Sequence, residues 1–232
     1  MKNRLLCLAS TFAITLGIGA MQPVRAGEIL VNGGFENVTG GVPNYGYILV
    51  SGNDLPGWTI APGHYGTLHE NPGPWPTITG SYSLNTDGEG TNGNNVDIYQ
   101  DFSTNAGDLY NFSFNWETWN VDAPESLLSV SITDLGNDSV VYNGLFNPFS
   151  VPSQVVQTAG ATFIGDGDSY KLEIQETPQS GFNDNEYIVD NFSVNDTGPS
   201  SVPDSTTWSA EILSGVALLW LARRWKLAGA QA

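Results

Sequence analysis

Cysteine is almost absent from this chain. Its 232 residues include a single cysteine, Cys7, close to the amino terminus. A disulfide framework needs at least two cysteines, and thiol catalysis needs one within the folded part of the chain. Because Cys7 falls in an N-terminal apolar stretch that resembles a leader, both chemistries are excluded for the remainder of the sequence.

Basic residues are also scarce. The chain has 7 Lys and Arg against 24 Asp and Glu, which gives a net charge of −17. Between residues 27 and 200 a single base, Lys171, faces 22 acids. Such a surface repels nucleic acid and anionic lipid, so no nucleic-acid partner is expected. The same surface attracts divalent cations or keeps an exported protein soluble, and the sequence leaves both explanations open.

Long apolar runs occur only at the two ends of the chain. At the amino terminus, Lys2 and Arg4 precede an apolar stretch over residues 5–20, and Val-Arg-Ala at 24–26 offers small residues for cleavage. This order is typical of a secretory signal peptide, which we place at residues 1–26. An uncleaved N-terminal anchor is the alternative interpretation.

The last thirty residues have the layout of a sorting signal. A residue that precedes proline is pushed towards extended backbone, which a processing enzyme can read. The apolar segment that follows is shorter than the about 20 residues of a comfortable membrane span, and a basic cluster after it stays on the cytoplasmic side. An ordinary C-terminal anchor or a buried helix is the alternative. The parts are a linker at 197–201, the motif Val202, Pro203, Asp204 and Ser205, an apolar helix at 208–222, and a basic stop, Arg223, Arg224 and Lys226.

Val-Pro-Asp-Ser followed by an apolar helix and Arg-Arg resembles the PEP-CTERM class of sorting signals. The resemblance implies processing by an exosortase, a membrane-embedded transpeptidase, in a Gram-negative bacterium that makes extracellular polysaccharide. It also implies that the transmembrane helix anchors the protein transiently in the inner membrane, before delivery to the cell surface or extracellular matrix. Thr206 and Glu211 depart from the class pattern, which leaves the position of the cut open.

The middle of the chain, residues 27–196, is long enough for one domain with a substantial core. Apolar and polar residues alternate there in short stretches separated by Gly-, Asn- and Pro-rich turns, and almost nothing has a helical period. Many short strands of this kind predict an all-β sandwich or jelly roll. The predicted strands are 28–31, 58–60, 97–102, 110–116, 128–132, 170–174 and, less strictly, 187–194.

Four stretches carry a second resemblance. They are Ile-Leu-Val-Asn-Gly-Gly-Phe-Glu at 29–36, Leu-Pro-Gly-Trp at 55–58, Ile-Tyr-Gln-Asp-Phe-Ser-Thr at 98–104, and Tyr-Ile-Val-Asp-Asn-Phe-Ser-Val at 187–194. In this order they are similar to the galactose-binding-like family, which includes carbohydrate-binding modules. The resemblance implies a jelly-roll β-sandwich whose first and last strands are neighbours. Function does not follow from that fold.

The same resemblance implies a structural calcium ion near the ends of the first and last strands. Calcium takes six to eight oxygens from carboxylates and carbonyls. Glu36 and Asp190 are the candidate carboxylates, and the turn that begins at Asn32 supplies further oxygens. The alternative is that Glu36 accepts hydrogen bonds from turn amides and Asp190 caps a strand. Asp166-Gly167-Asp168 is a weaker calcium candidate, for which a surface hairpin is the simpler interpretation.

Aromatic residues suggest a carbohydrate site. Flat rings stack on sugar C–H faces, while amides and carboxylates bond the hydroxyls. Trp75 lies in a loop too rich in proline for the interior of a sheet. Trp119 falls on the opposite face of its strand from the core aromatics, beside Glu117 and Asn120. The alternative is that both indoles pack in the core, as we expect Trp58 and Trp116 to do.

Motifs for catalysis are missing. His64 and His69 fall in a Gly- and Pro-rich stretch, where loop polarity explains them better than a zinc pattern. There is no Gly-x-Ser-x-Gly elbow. We therefore expect a secreted, non-enzymatic domain that binds or organises exopolysaccharide. A purely structural, calcium-bridged surface protein is the first alternative, and a polysaccharide-active enzyme is the second.

Overall fold

The computed structural model describes residues 27–87, 95–119, 127–177 and 186–200. The predicted signal peptide at 1–26, Asn120 and the sorting signal at 202–232 lie outside these ranges. No helix in the described ranges has the length and apolar character that crossing a membrane requires. The described chain is built of β-strands, together with one short 3-10 helix at Pro148–Ser150.

The strands are short and antiparallel, and turns rich in Gly, Asn and Asp separate them. Their bounds are β1 Gly27–Glu28, β2 Val42–Asn44, β3 Tyr47–Val50, β4 Thr59–Ile60, β5 Gly66–Glu70, β6 Tyr82–Asn85, β7 Asp97–Ser103, β8 Asp108–Thr118, β9 Leu128–Asp134, β10 Val140–Phe146, β11 Gln157–Ile164, β12 Ser169–Glu176 and β13 Tyr187–Pro199.

Two sheets form a sandwich. The large sheet has the order β11-β8-β13-β6-β5-β3-β2, with β1 added on β13, and the small sheet has the order β10-β9-β12-β7-β4. From β6 onwards the chain crosses repeatedly between the two sheets, which is the connectivity of a jelly roll. The predicted all-β jelly-roll sandwich is therefore confirmed. The first and last strands are neighbours, because Gly27 pairs with Asp196 and Glu28 with Asn195.

The core lies between the sheets and is built from alternate residues of each strand. On β8 the buried apolar side chains are Tyr110, Phe112, Phe114 and Trp116, as the alternation predicts. Trp58 is also buried, with its ring centroid 5.4 Å from that of Phe35 and 5.8 Å from that of Phe192. Burying each such side chain contributes about 1.5–3 kcal/mol. This aromatic core fixes the two sheets face to face.

Two predicted boundaries differ from the structure. β1 ends at Glu28 instead of Val31, because the side chain of Gln100 bonds both the N–H and the carbonyl of Val31 and replaces a neighbouring strand there. At the other end, β13 continues to Pro199, which pairs with Asp108. Residues 197–199 therefore belong to the sheet and not to the predicted linker.

Candidate functional site

The face of the large sheet that points away from the core is lined by polar side chains. Side chains directly opposite each other on neighbouring strands share a face. Asn115 on β8 is opposite Asp190 on β13, and His69 on β5 is opposite both Ser83 on β6 and Tyr47 on β3. Asp190 and Ser83 meet, since the Ser83 hydroxyl donates to the Asp190 carboxylate at 2.9 Å. These five side chains form one row across the sheet.

A second row runs beside the first. Glu117 on β8 is opposite Ile188 on β13, which is in turn opposite Asn85 on β6. Asn85 is opposite Thr67 on β5, and Thr67 is opposite Leu49 on β3. We call the surface made by these two rows the large-sheet face. It crosses five strands, β8, β13, β6, β5 and β3. It carries hydroxyl, amide, imidazole and carboxylate groups, together with the apolar side chains of Ile188 and Leu49.

A loop, residues 71–81, folds back over the middle of the large-sheet face. The Ile78 N–H donates to the Ser83 hydroxyl at 2.9 Å, and the Thr79 N–H and hydroxyl donate to the Asp190 carboxylate at 3.2 and 3.1 Å. The loop explains why polar residues of an outer face are buried, with His69 only 3% exposed. The prediction that His69 lies in a polar loop is wrong, because it lies in β5 under this cover.

The His69 ring is held by hydrogen bonds at both nitrogens. Its Nδ1 lies 2.9 Å from the Pro76 carbonyl, which can only accept, so Nδ1 carries the proton. Nε2 therefore accepts from the Asn85 side-chain amide at 3.1 Å. The same amide lies 3.3 Å from a Glu186 carboxylate oxygen. This series of hydrogen bonds fixes the positions of neighbouring polar groups before any ligand binds.

Trp75 lies in the loop at one end of the large-sheet face. Its ring centroid is 6.1 Å from that of His69, and its Nε1 donates to the Tyr45 carbonyl at 3.4 Å. The indole is 38% exposed, and the Tyr45 side chain is 79% exposed. Trp75 lies outside the sheet, as its proline-rich surroundings indicate. The two rings offer accessible flat surfaces beside the polar rows.

Glu117 and Trp119 lie towards the other end of the same face. Trp119 directly follows β8 and is half-buried, and its N–H donates to the Glu186 carbonyl at 2.9 Å. Glu117 is 4% exposed. Within the described ranges its carboxylate has no hydrogen bond or ion pair, and burial raises its pKa above the usual value. Such a group gains from a ligand hydroxyl that donates to it. Asn120, the fourth predicted sugar-binding residue, lies outside the described residues.

The three residues predicted to bind calcium have protein partners. Glu36 accepts from the Ser81 N–H at 2.9 and 3.0 Å, and Asn32 closes its own turn by bonding the backbone of Asn37. Asp190 is fully buried. Burial raises its pKa to about 6, and the hydrogen bonds from Ser83, Asn191 and Thr79, which lower the pKa, offset only part of this rise. Glu36 and Asp190 thus hold adjacent parts of the 71–81 loop. Calcium at this position stays a prediction.

A separate cluster of three carboxylates lies where β9 ends and β11 turns into β12. Asp134, Asp166 and Asp168 each offer an oxygen, and these oxygens lie within 4.8 Å of one another. Asp134 is buried, and the other two are exposed. The pKa of Asp166 is lowered, first by the hydrogen bond from the Asp168 N–H. The sequence indicated the turn at 166–168 but not the third carboxylate, which comes from a distant strand.

Comparison with known proteins returns similar solved structures and nothing else. No protein-family model matches the chain, and no curated protein matches it significantly. The CBM22-1 xylan-binding domain of Xyn10C from Paenibacillus barcinonensis is similar, with 18% identity over 76% of this chain and 99% of that one, at a TM-score of 0.47. The C-terminal family 22 module of Xyn10B from Clostridium thermocellum shows 11% identity over 68% and 99%, at a TM-score of 0.40. A CBM4 structure shows 15% identity over 72% and 99%, at a TM-score of 0.36. At these values the likenesses assign no function to this chain.

Proposed function

We propose that this protein binds polysaccharide on its large-sheet face. The observation that carries the proposal is the combination of exposed aromatic rings, Trp75 and Tyr45, with a fixed row of buried hydrogen-bonding groups that begins at His69 beneath them. Carbohydrate sites combine stacking surfaces with oriented polar groups. Glu117 adds an acceptor for sugar hydroxyls at the other end of the face.

The charge of the domain narrows the class of ligand. With 22 acids and one base between residues 27 and 200, the field repels an anionic polysaccharide. The two acids of the large-sheet face, Glu117 and Asp190, both have raised pKa values because of burial. We therefore propose a neutral glycan, one of whose hydroxyls donates to the Glu117 carboxylate, while Asp190 holds the 71–81 loop in place.

We further propose that the protein acts outside the cell as a non-catalytic component of the surface or matrix. This part of the proposal rests on the sequence of the two ends, the leader at 1–26 and the motif at 202–205 with its basic stop. Processing by an exosortase would release the domain near Pro203. Intact-mass analysis of native material tests it: a carboxyl terminus close to this motif supports sorting, and one at Ala232 contradicts it.

Glycan binding is testable with the full chain in a mild detergent. Affinity electrophoresis in gels that contain neutral polysaccharides, including the host's own, gives retention and dissociation constants. We expect Trp75→Ala and Trp119→Ala to weaken binding about 10-fold or more, in line with about 1.4 kcal/mol per tenfold. Tyr99→Ala, on the outer face of the small sheet, is the matched control and should leave binding unchanged. Equal retention of all four proteins would overturn the site, and no retention on any glycan would overturn the function.

The cluster Asp134, Asp166 and Asp168 favours a second candidate function, a calcium-bridged structural protein. Three carboxylates at this spacing suit a hard cation that prefers oxygen ligands. Calorimetric titration with calcium, on the wild type and on Asp168→Asn, tests this candidate. This candidate is supported if the wild type binds calcium, Asp168→Asn does not, and the exposed control Asp101→Asn still does. No heat of binding in the wild type contradicts it.

A further inference from the structure

Charge is distributed unevenly along this acidic domain. Residues 139–165 contain no Asp, Glu, Lys, Arg or His, and this is the longest uncharged run between residues 27 and 200. The run includes all of β10 and all of β11, together with the 3-10 helix between them. In a chain with a net charge of −17, an uncharged stretch of this length marks a distinct part of the surface.

The uncharged run forms two edges of the sandwich. β10 is the last strand of the small sheet and β11 is the last strand of the large sheet. Tyr142 and Phe146 of β10 contact Phe112, Phe114 and Trp116 of β8, the strand next to β11. The two edges therefore lie on the same side of the molecule.

Among the described residues, the β11 edge has none of the usual protection against pairing with another strand. β11 pairs with β8 at eight consecutive positions without a bulge. Within the described residues nothing pairs with its other edge. Natural sheets protect such edges with charged side chains, proline, bulges or a covering segment. Gln-Thr-Ala-Gly-Ala-Thr-Phe-Ile contains neither charge nor proline.

Exposed apolar side chains accompany this edge. Single exposed apolar residues are normal on protein surfaces, but here six belong to the one uncharged run. A strand edge by itself offers backbone hydrogen bonds but little apolar area. These side chains supply the apolar area that a stable interface needs. They are Val140, Leu145, Phe149, Val155, Val156 and Ile164.

We propose that the β11 edge is the dimer interface of this protein, where β11 pairs antiparallel with β11 of a second copy. The partner is a second copy because two chains of this charge repel each other over most of their surfaces, and residues 139–165 allow approach without acids facing acids. Pairing of the same edge on both copies is isologous and closes at two. Eight residues give a strand of about 27 Å. The flanking apolar side chains bring the interface towards the roughly 1,600 Å² of stable complexes.

The dimer joins the two large sheets into one continuous sheet. The large-sheet faces of both copies then lie on the same side of that sheet. A polymer with repeated sites can bind both faces at once, which raises its apparent affinity without a new contact. Dimerisation itself requires no glycan, so its test is independent of the proposed function.

The test is sedimentation velocity of the full chain in a mild detergent, with EDTA present to remove calcium bridges. We expect a concentration-dependent dimer of the wild type. Thr162→Glu and Ile164→Glu place charges on exposed positions of β11 and should each weaken dimerisation at least 10-fold. Ser103→Glu places the same charge on an exposed position of β7 and should not. Circular dichroism checks that each variant is folded.

Three results would overturn the proposal. The first is a wild type that stays monomeric at about 100 µM, well above the range in which a specific interface of this size associates. The second is a dimer that both β11 variants leave intact, which would place association elsewhere, including the apolar tail. The third is a loss of dimer in Ser103→Glu equal to that in Thr162→Glu. Such a result would show that added negative charge anywhere on the surface, and not a change at β11, causes the loss.

Discussion

The two outer faces of this sandwich show how one sequence pattern produces two different surfaces. Both faces are mainly polar because polar residues alternate with core residues on most strands. On the large sheet, Ser83, His69 and Asn85 are nonetheless buried. On the small sheet, Asp101 is exposed and Lys171 retains 30% of its side-chain exposure. The difference comes from the 71–81 loop, which covers the large-sheet face.

The charged groups on the two faces also differ in burial. On the small-sheet face, Lys171 pairs with Glu173 at 2.8 Å and lies 5.7 Å from the centre of the Tyr99 ring. On the large-sheet face, burial raises the pKa values of Glu117 and Asp190. One face therefore holds charges in water, where they favour solubility. The other holds buried carboxyl groups, of which Asp190 holds the 71–81 loop and Glu117 has no hydrogen-bond partner among the described residues.

The largest expected difference between the faces is in stability. Asp190→Ala removes the acceptor of buried hydrogen bonds from Ser83, Thr79 and Asn191, so we expect a loss of about 3 kcal/mol in the free energy of unfolding. Asp101→Ala on the exposed face should cost less than about 0.5 kcal/mol. Denaturant unfolding of both variants measures this, and similar losses would contradict the contrast.

A slightly smaller effect is expected from pH. Because burial raises the pKa of Asp190 to about 6, the folded state binds a proton at a pH where the unfolded state does not. Its contribution to stability is therefore present below about pH 4, is lost as the pH rises through 6, and amounts to roughly 2–3 kcal/mol.

Asp190→Asn removes the titrating group and keeps most of the hydrogen bonds. The difference in unfolding free energy between wild type and Asp190→Asn should thus depend on pH between 4 and 7. The difference between wild type and Asp101→Asn should not change in the same direction over this range. A flat profile for Asp190→Asn would show that the carboxyl is solvated.

The smallest effect is expected for the ion pair on the exposed face. Exposed pairs contribute about 0–1 kcal/mol and weaken with salt. Lys171→Ala should therefore lower the unfolding free energy by at most about 1 kcal/mol, although this is the one base between residues 27 and 200. Thermal unfolding at low and high salt measures it. A loss above about 2 kcal/mol would show that the small-sheet face is less solvated than its exposure indicates.

The parts of the fold that could be predicted are the strands with strict alternation. β8 and β12 have an apolar residue at every second position, so the sequence alone defines their core faces. Six strands, β2, β3, β5, β6, β10 and β11, escaped prediction, and for three of them the composition shows why. β2 contains Pro43, β5 has the single large apolar residue Leu68, and β11 has alanines at two of its core-facing positions. Neighbouring strands stabilise these three more than their own composition does.

The candidate site could be predicted only in part. The proline-rich sequence around Trp75 indicates a loop, and the alternation on β8 places Glu117 and Trp119 away from the core aromatics. The burial of Glu117 and His69 could not be predicted, because alternation assigns both to an outer face. The burial of His69 depends on the 71–81 loop folding back over β5, and strand alternation does not record such a fold-back.

Hydrogen–deuterium exchange of the full chain, with and without a saturating neutral oligosaccharide, tests most directly which face binds glycan. Binding on the large-sheet face predicts slower exchange in peptides that cover residues 71–81 and 45–49, with no change in peptides that cover 97–103 and 169–175. Protection confined to 97–103 and 169–175 would contradict it, as would unchanged exchange throughout the chain at saturation.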